Sequence, residues 1–149
     1  LLFWWLVLSI FMVITVYDFR HLIIPDGPVY TLIGLGFLRL VFGLWTLDFE
    51  IWNFLTGILF FLLFAGLWYF SAGRAMGLGE AKLALAIGWL LPPDLAFSAL
   101  VLAFTLGACV GIALLLLPSK RFTLKSEIPF GPFLAAGAVI VFLTQLQLI

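Results

Sequence analysis

Long apolar stretches separated by short polar ones dominate this chain. A membrane-spanning helix needs about 20 mostly apolar residues, and six stretches meet or approach that length: residues 1–17, 29–46, 51–71, 80–92, 94–117 and 129–148. The fourth is short because Pro92 and Pro93 end it. The alternation of apolar and polar residues typical of strands is absent. The pattern predicts an all-α polytopic membrane bundle of six transmembrane helices, forming a single integral membrane domain over residues 1–149.

Composition supports this class. The chain is 66% hydrophobic and 9% charged, with a mean hydropathy of +1.32, whereas soluble domains are about 25% charged. The formal net charge is zero, so no basic excess points to a nucleic-acid partner. The single cysteine, Cys109, excludes an internal disulfide and is interpreted as a packing residue.

The first residues do not resemble a signal peptide, because a basic region and a small-residue cleavage pattern are both absent. The chain opens without methionine. We therefore expect it to be a portion of a longer protein, or one whose leading residues are disordered or removed.

The charges between the apolar stretches predict an orientation. Lysine and arginine concentrate in three loops, around residues 18–28, 72–82 and 118–128. The intervening loops carry only acidic residues, Asp48, Glu50 and Asp94. Because basic residues mark the cytoplasmic side, the three basic loops are expected to be cytoplasmic and both ends of this chain to face outward. Asp18 and Glu80 are then expected to emerge at the same face.

These two acids are the principal candidates for chemistry. An ionisable group at the edge of an apolar segment is costly and is rarely there without a function, and two carboxyls brought together can act as an acid/base pair. Each acid also has a plainer interpretation. Asp18 could be solvated at a helix end, and Glu80 could cap a helix after the glycine turn of Gly77 and Gly79, which favours a sharp bend or a close backbone approach.

Other residues near these acids have weaker signals. Pro25 is typical of a turn, and Asp26 could cap the second helix. Lys82 could offset the acids, bind a substrate backbone, or extend to the membrane interface. His21 has no second histidine at ligand spacing, so a metal role is not favoured. Small residues recur in the fourth segment and favour close packing inside the bundle, at Ala81, Ala84 and Gly88.

The segment before the sixth helix contains two prolines around a glycine, Pro129, Gly131 and Pro132. One interpretation is a helix boundary. The other is a strand-like edge beside the acids that holds an extended peptide by backbone pairing.

Three motifs carry a family resemblance: YDFRHLIIPD, GLGEAKLALAIGWLL and IPFGPFLAAGA, in this order, each at a predicted cytoplasmic helix end. Together they resemble the bacterial type IV prepilin peptidases, which are GxGD intramembrane aspartyl proteases, over essentially the whole chain. The resemblance implies that Asp18 is the first catalytic acid and that Glu80 stands at the second. Gly77 and Gly79 match the motif glycines, and Lys82 matches the lysine that often follows.

The resemblance also implies an activity and a place. The expected enzyme is an aspartic endopeptidase of the bacterial cytoplasmic membrane, which cuts the leader of a prepilin or pseudopilin at the cytoplasmic face. The expected partners are that substrate's apolar helix, lying in a lateral groove of the bundle, and membrane lipid. No cofactor and no metal are expected, and the oligomeric state stays open.

Two features depart from the family. The motif ends in aspartate, whereas this chain has Glu80, with one more methylene. It is either a compensated natural residue or an engineered substitution that weakens cleavage, and we prefer the second. Larger members also carry an N-terminal cytoplasmic region with paired cysteines linked to methylation. We expect that region to be absent from residues 1–149, so neither methyltransferase activity nor zinc is carried over.

Two other classes of function remain open at this point. One is a small ion-coupled transporter whose acids bind protons or cations, although the acids lie at one face and no inverted repeat is apparent. The other is a non-catalytic scaffold that binds pilin-like helices without cutting them.

Overall fold

The computed structural model describes residues 2–46, 51–74, 76–116 and 129–144. These ranges form six helices and contain no strand: α1 (Leu2–His21), α2 (Asp26–Thr46), α3 (Ile51–Phe70), α4 (Leu78–Leu90), α5 (Pro93–Leu116) and α6 (Gly131–Thr144). The predicted all-α membrane bundle with a short fourth helix is confirmed. The predicted end of the sixth helix at residue 148 lies outside the described residues.

Only four residues, 22–25, separate α1 from α2, so both helices extend further toward each other than the predicted stretches 1–17 and 29–46. α1 continues through Asp18 to His21, and Leu22 then adopts a left-handed conformation with φ of 55°. Its N–H donates to the Asp18 carbonyl at 2.8 Å, which satisfies one of the free carbonyls of the last turn. Asp26 was considered as a cap that precedes α2, but it is the first residue of the helix itself.

Prolines separate α4 from α5. The Leu91 backbone is extended after the last residue of α4. Pro93 is the first residue of α5, where the missing N–H costs nothing and its fixed φ suits a helix. Asp94 therefore lies in the first turn of α5.

α4 is the central helix, as its small residues predict. Ala81 and Ala84 are fully buried. A Cβ on Gly88 would lie 2.5 Å from the Gly57 Cα on α3, so the two backbones approach directly. Small residues permit such close helix crossings in membranes, and this crossing holds α4 firmly inside the bundle.

The outer surface is apolar. Three described helices, α1, α3 and α5, are long and apolar enough to cross a membrane, and the described part of α6 is a shorter apolar helix. Large apolar side chains face outward, including Trp5, Met12, Trp52 and Phe70. A polar solvent would disfavour this surface and lipid would not, so the protein is a multi-pass membrane protein.

Helix direction places the motifs at one end of the bundle. The C-terminal end of α1 and the N-terminal ends of α4 and α6 lie together, because Asp18 lies against Gly131 and Ile24 lies against both Gly79 and Gly131. The membrane side that this end faces stays a prediction. The loop around 118–128 and the acids Asp48 and Glu50, which contributed to it, lie outside the described residues.

Candidate active site

Asp18 lies inside the bundle. It continues the buried stripe of α1, whose members are three or four residues apart and share one helix face: Val7, Phe11, Ile14 and Asp18. Only 3% of Asp18 is exposed, and its Oδ2 has no hydrogen-bond partner among the described residues. The interpretation of a solvated acid is wrong. The Gly131 backbone N–H lies beside the carboxyl. A buried polar atom without a partner is costly, so Oδ2 is available for an interaction that the described residues do not supply.

Glu80 lies in the first turn of α4, three residues after Gly77. Its Oε2 accepts a hydrogen bond of 2.7 Å from the Gly77 N–H. This is one of the two hydrogen bonds of a capping box, and the other would need a side chain on Gly77, the N-cap residue. The helix-cap interpretation is therefore confirmed. The carboxyl also has the Phe130 backbone N–H close by, and it lies near enough to Asp18 for the two charges to interact.

The two acids converge on the start of α6. Asp18 abuts Gly131, since a Cβ placed there would overlap Asp18 Oδ2, and Glu80 is next to the Phe130 N–H. Phe130 and Gly131 are consecutive, with Cα atoms about 3.8 Å apart. The N-terminal ends of α4 and α6, where free N–H groups stabilise negative charge, both point toward the pair. The arrangement can hold two carboxyls at one reacting centre.

Ile24 links the segments around the acids. A Cβ on Gly79 would lie 2.9 Å from Ile24 Cβ, and a Cβ on Gly131 would lie 3.0 Å from Ile24 Cδ1. The side chain therefore packs between the start of α4 and the start of α6. Sequence reasoning missed this residue, although an apolar side chain directly before proline in a short interhelical turn is a signal for a buried contact.

Phe130 is a second residue that sequence reasoning missed. Its carbonyl accepts hydrogen bonds of 3.0 and 3.1 Å from Phe133 and Leu134, which open α6. Its ring lies 4.9 Å from that of Phe104 and 6.2 Å from that of Phe64. Aromatic contacts with α3 and α5 thus hold the peptide that faces both acids.

The strand-like edge predicted around the prolines is wrong for the described residues. Gly131 and Pro132 are the first two residues of α6 and both are buried, and only Pro129 and Phe130 precede the helix without regular structure. Proline is tolerated in the first turn of a helix. Pro132 therefore does not prevent α6 from beginning at Gly131, where the alternative interpretation placed a strand-like edge. The helix-boundary interpretation is the correct one.

Lys82 pairs with Asp26. Its Nζ lies 2.7 Å from Asp26 Oδ1 and 4.9 Å from the centre of the Tyr30 ring. The Asp26 side chain is 64% exposed and that of Lys82 is 24% exposed. An exposed pair of this kind contributes about 0–1 kcal/mol. It ties α2 to α4 beside the acids, with Pro25 at the preceding turn, and Lys82 forms its ion pair with Asp26 rather than with Asp18 or Glu80.

His21 packs along its own helix. Its ring stacks on Tyr17 with centroids 4.3 Å apart, and its Nδ1 lies 3.2 Å from the Tyr17 carbonyl oxygen. In the part of the chain that the structure describes, no group of three or more histidine, cysteine or acidic side chains is placed to hold a metal ion.

The two motif glycines are expected to differ in their tolerance of a side chain. Gly79→Ala would push a methyl group against Ile24, and we expect it to cost about 1–3 kcal/mol of stability through overpacking. Gly77 has φ of −86° and ψ of 158°, with no atom nearer than 4.0 Å to a new Cβ. Gly77→Ala should cost less, about 0.5–1 kcal/mol, because alanine is a poorer N-cap than glycine but meets no neighbouring atom here. Thermal unfolding in detergent compares them, and equal losses would contradict the contact with Ile24.

Comparisons with known proteins identify the family of this chain. The sequence profile of the type IV leader peptidase family matches residues 5–112. A prepilin leader peptidase/N-methyltransferase from Pectobacterium carotovorum subsp. carotovorum is 31% identical over 140 residues, which cover 90% of this chain and 48% of that protein. The chain thus spans about half the length of this curated relative. No solved structure gave a significant match. Because the family profile covers well over half of the chain, the protein belongs to the type IV leader peptidase family.

Proposed function

We propose that this chain is a membrane aspartic endopeptidase, active at the cytoplasmic face of a bacterial inner membrane, that cleaves the leader peptide of a type IV prepilin or pseudopilin. Residues 1–149 would form its peptidase domain. The observation that carries the proposal is the convergence of Asp18 and Glu80 on the Phe130–Gly131 peptide, with Asp18 Oδ2 left without a partner among the described residues. Family membership supplies the reaction and the substrate class.

In the proposed mechanism, the two carboxyls share one proton because neighbouring carboxylates do not both ionise readily. The ionised carboxyl takes a proton from water, and that water attacks the scissile carbonyl. The protonated carboxyl polarises the carbonyl oxygen. When the tetrahedral intermediate breaks down, a carboxyl returns the proton to the leaving amine. The chain supplies both proton-transfer groups.

Local backbone groups would hold the pair in place. The Gly77 N–H keeps Glu80 Oε2 at 2.7 Å, and the ordered start of α6 keeps Gly131 against Asp18. The Lys82–Asp26 pair would shape the rim of the site by tying α2 to α4. Pro25, Pro129 and Pro132 would shape the turns around it. The substrate's apolar helix would lie in the membrane beside the bundle.

Glu80→Asp is expected to cleave faster than the present chain, by up to about tenfold. One oxygen of Glu80 is engaged by the Gly77 N–H, and a side chain one methylene shorter would place the carboxyl as the family motif does. Rates depend strongly on displacements of about 1 Å at a reacting group. Cleavage of a purified type IV prepilin in detergent, followed by mass spectrometry of the products, measures both enzymes. A slower Glu80→Asp enzyme would show that glutamate suits this site.

A helix-binding scaffold is the second candidate, and the helix-capping role of Glu80 is the observation that favours it. A capping carboxylate stabilises α4 whether or not it moves protons. A scaffold would bind the prepilin without cleaving it, and Glu80→Asp would not restore cleavage. For the transporter alternative no support emerges, because α1, α2, α3 and α5 run uninterrupted and the acids lie at one end.

A further inference from the structure

We propose that Ile24 is a positioning residue that sets the gap between the N-terminal ends of α4 and α6 and thereby the separation of the Asp18 and Glu80 carboxyls. This inference rests on the proposed catalytic pair and adds a residue to which no chemistry had been assigned.

Ile24 contacts two glycines with different parts of its side chain. Its Cβ and Cγ2 lie 2.9 and 3.5 Å from the Cβ position that Gly79 lacks, and its Cδ1 lies 3.0 Å from that of Gly131. Its Cγ1 lies near both, at 3.6 Å from the first position and 3.2 Å from the second. Each contact is with a backbone that has no side chain to deform. Because protein interiors are close-packed, the width of one isoleucine fixes how near the two helix ends can come.

Each helix end that Ile24 touches is coupled directly to one acid. Gly79 is the residue before Glu80, and Gly131 is the residue that abuts Asp18 Oδ2. Ile24 itself lies six residues after Asp18, in the turn that follows α1. A change in its width would therefore move both carboxyls, without removing any group that touches the substrate.

Ile24 also packs at the same glycine as the buried acid. Asp18 is 3% exposed although it lies near the end of its helix, and both Ile24 and Asp18 Oδ2 contact the Cβ position of Gly131. Truncation of Ile24 should let water and small reagents reach Asp18 more readily.

Ile24→Ala is expected to lower kcat for prepilin cleavage by about tenfold to a hundredfold, since displacements near 1 Å at reacting groups cost on that order. KM should stay within about twofold, because the substrate's contacts are intact. Ile24→Val loses only Cδ1 and should retain most of the activity. Ile23→Ala is the matched control, because Ile23 is 66% exposed, and it should resemble the starting chain in kcat.

A second measurement does not depend on activity. Labelling of Asp18 by a hydrophobic carbodiimide, measured by mass spectrometry of the intact protein in detergent, should be several-fold faster in Ile24→Ala than in Ile23→Ala. If Ile24→Ala does not fold, Ile24→Val decides, with a smaller increase in labelling expected.

The two proposals fail in different ways. Unchanged kcat and unchanged labelling in Ile24→Ala would overturn the positioning role and leave the catalytic pair standing. Full cleavage by an Asp18 variant would overturn the catalytic pair, and the labelling rate would still test whether Ile24 covers Asp18. A fall in kcat that is matched by an equal fall in the folded fraction, without faster labelling, would reduce Ile24 to a structural role.

Discussion

Replacing Asp18 by asparagine is expected to lower kcat for prepilin cleavage by about a hundredfold to ten-thousandfold, the range that general acid–base groups contribute. Asparagine keeps the shape of the side chain but cannot exchange a proton with water or with the leaving amine. Glu80→Gln should have a loss of similar size, because the two carboxyls act as a unit and their effects do not add.

The fold should survive these substitutions. Asp18 Oδ2 makes no hydrogen bond among the described residues. Asparagine keeps an oxygen that can accept from the nearby Gly131 backbone N–H, and it removes the cost of burying a carboxyl. Thermal unfolding midpoints in detergent should stay within a few degrees of the starting protein. Asp94→Asn makes the same chemical change in the first turn of α5 and should leave kcat unchanged. Full cleavage by Asp18→Asn would refute the proposed pair.

Gly131→Ala is expected to have the second largest effect, a loss of about a hundredfold in kcat together with about 1–3 kcal/mol of stability. The new Cβ would overlap Asp18 Oδ2 and lie 3.0 Å from Ile24 Cδ1. A buried aspartate in the last turn of a packed helix has little room to withdraw. The carboxyl must therefore turn away from the site, or α6 must shift.

Gly66→Ala provides the control for this substitution. Gly66 lies within α3, and no atom comes within 4 Å of a Cβ built there. Alanine is favoured over glycine inside helices by roughly 0.5–1 kcal/mol, so this variant should be as stable as the starting chain or slightly more so. Prepilin cleavage rates and unfolding midpoints in detergent distinguish the two variants. Normal cleavage by Gly131→Ala would show that Asp18 does not depend on the space at Gly131.

The membrane side that the acids face can be measured on the intact protein in its membrane. Cysteine substitutions at exposed positions of the described turn, such as Ile23, and labelling with a membrane-impermeant maleimide in whole cells and in inverted vesicles, would establish which side the acids face. Labelling in inverted vesicles alone is the outcome expected for a cytoplasmic site. Cys109 is exposed on the outer surface of the bundle, so its interpretation as a packing residue is wrong. It should therefore be replaced before the labelling.

The sequence alone determined the features that depend on residues close together in the chain. Apolar runs of helical length predicted six helices, and prolines predicted the break between α4 and α5. The small residues of α4 predicted its central place, because only small side chains permit close helix crossings. The lysines and arginines in alternate loops predicted that Asp18 and Glu80 share one end of the bundle, and the close approach of their charges agrees with this.

Only the tertiary structure decided how the site is assembled, since its contacts join residues far apart in the chain. Whether Asp18 was solvated or buried depended on what packs over the last turn of α1, and the answer is Gly131 on α6. Gly77 and Gly79 look equivalent in the motif, yet only Gly79 faces a distant segment of the chain, the turn at Ile24. The prolines around Gly131 allow either a strand edge or a helix start. The structure has the helix start, and Phe130, directly before it, packs among aromatic rings of α3 and α5. Local preference sets which elements form, whereas the space left by distant side chains sets where each functional group lies.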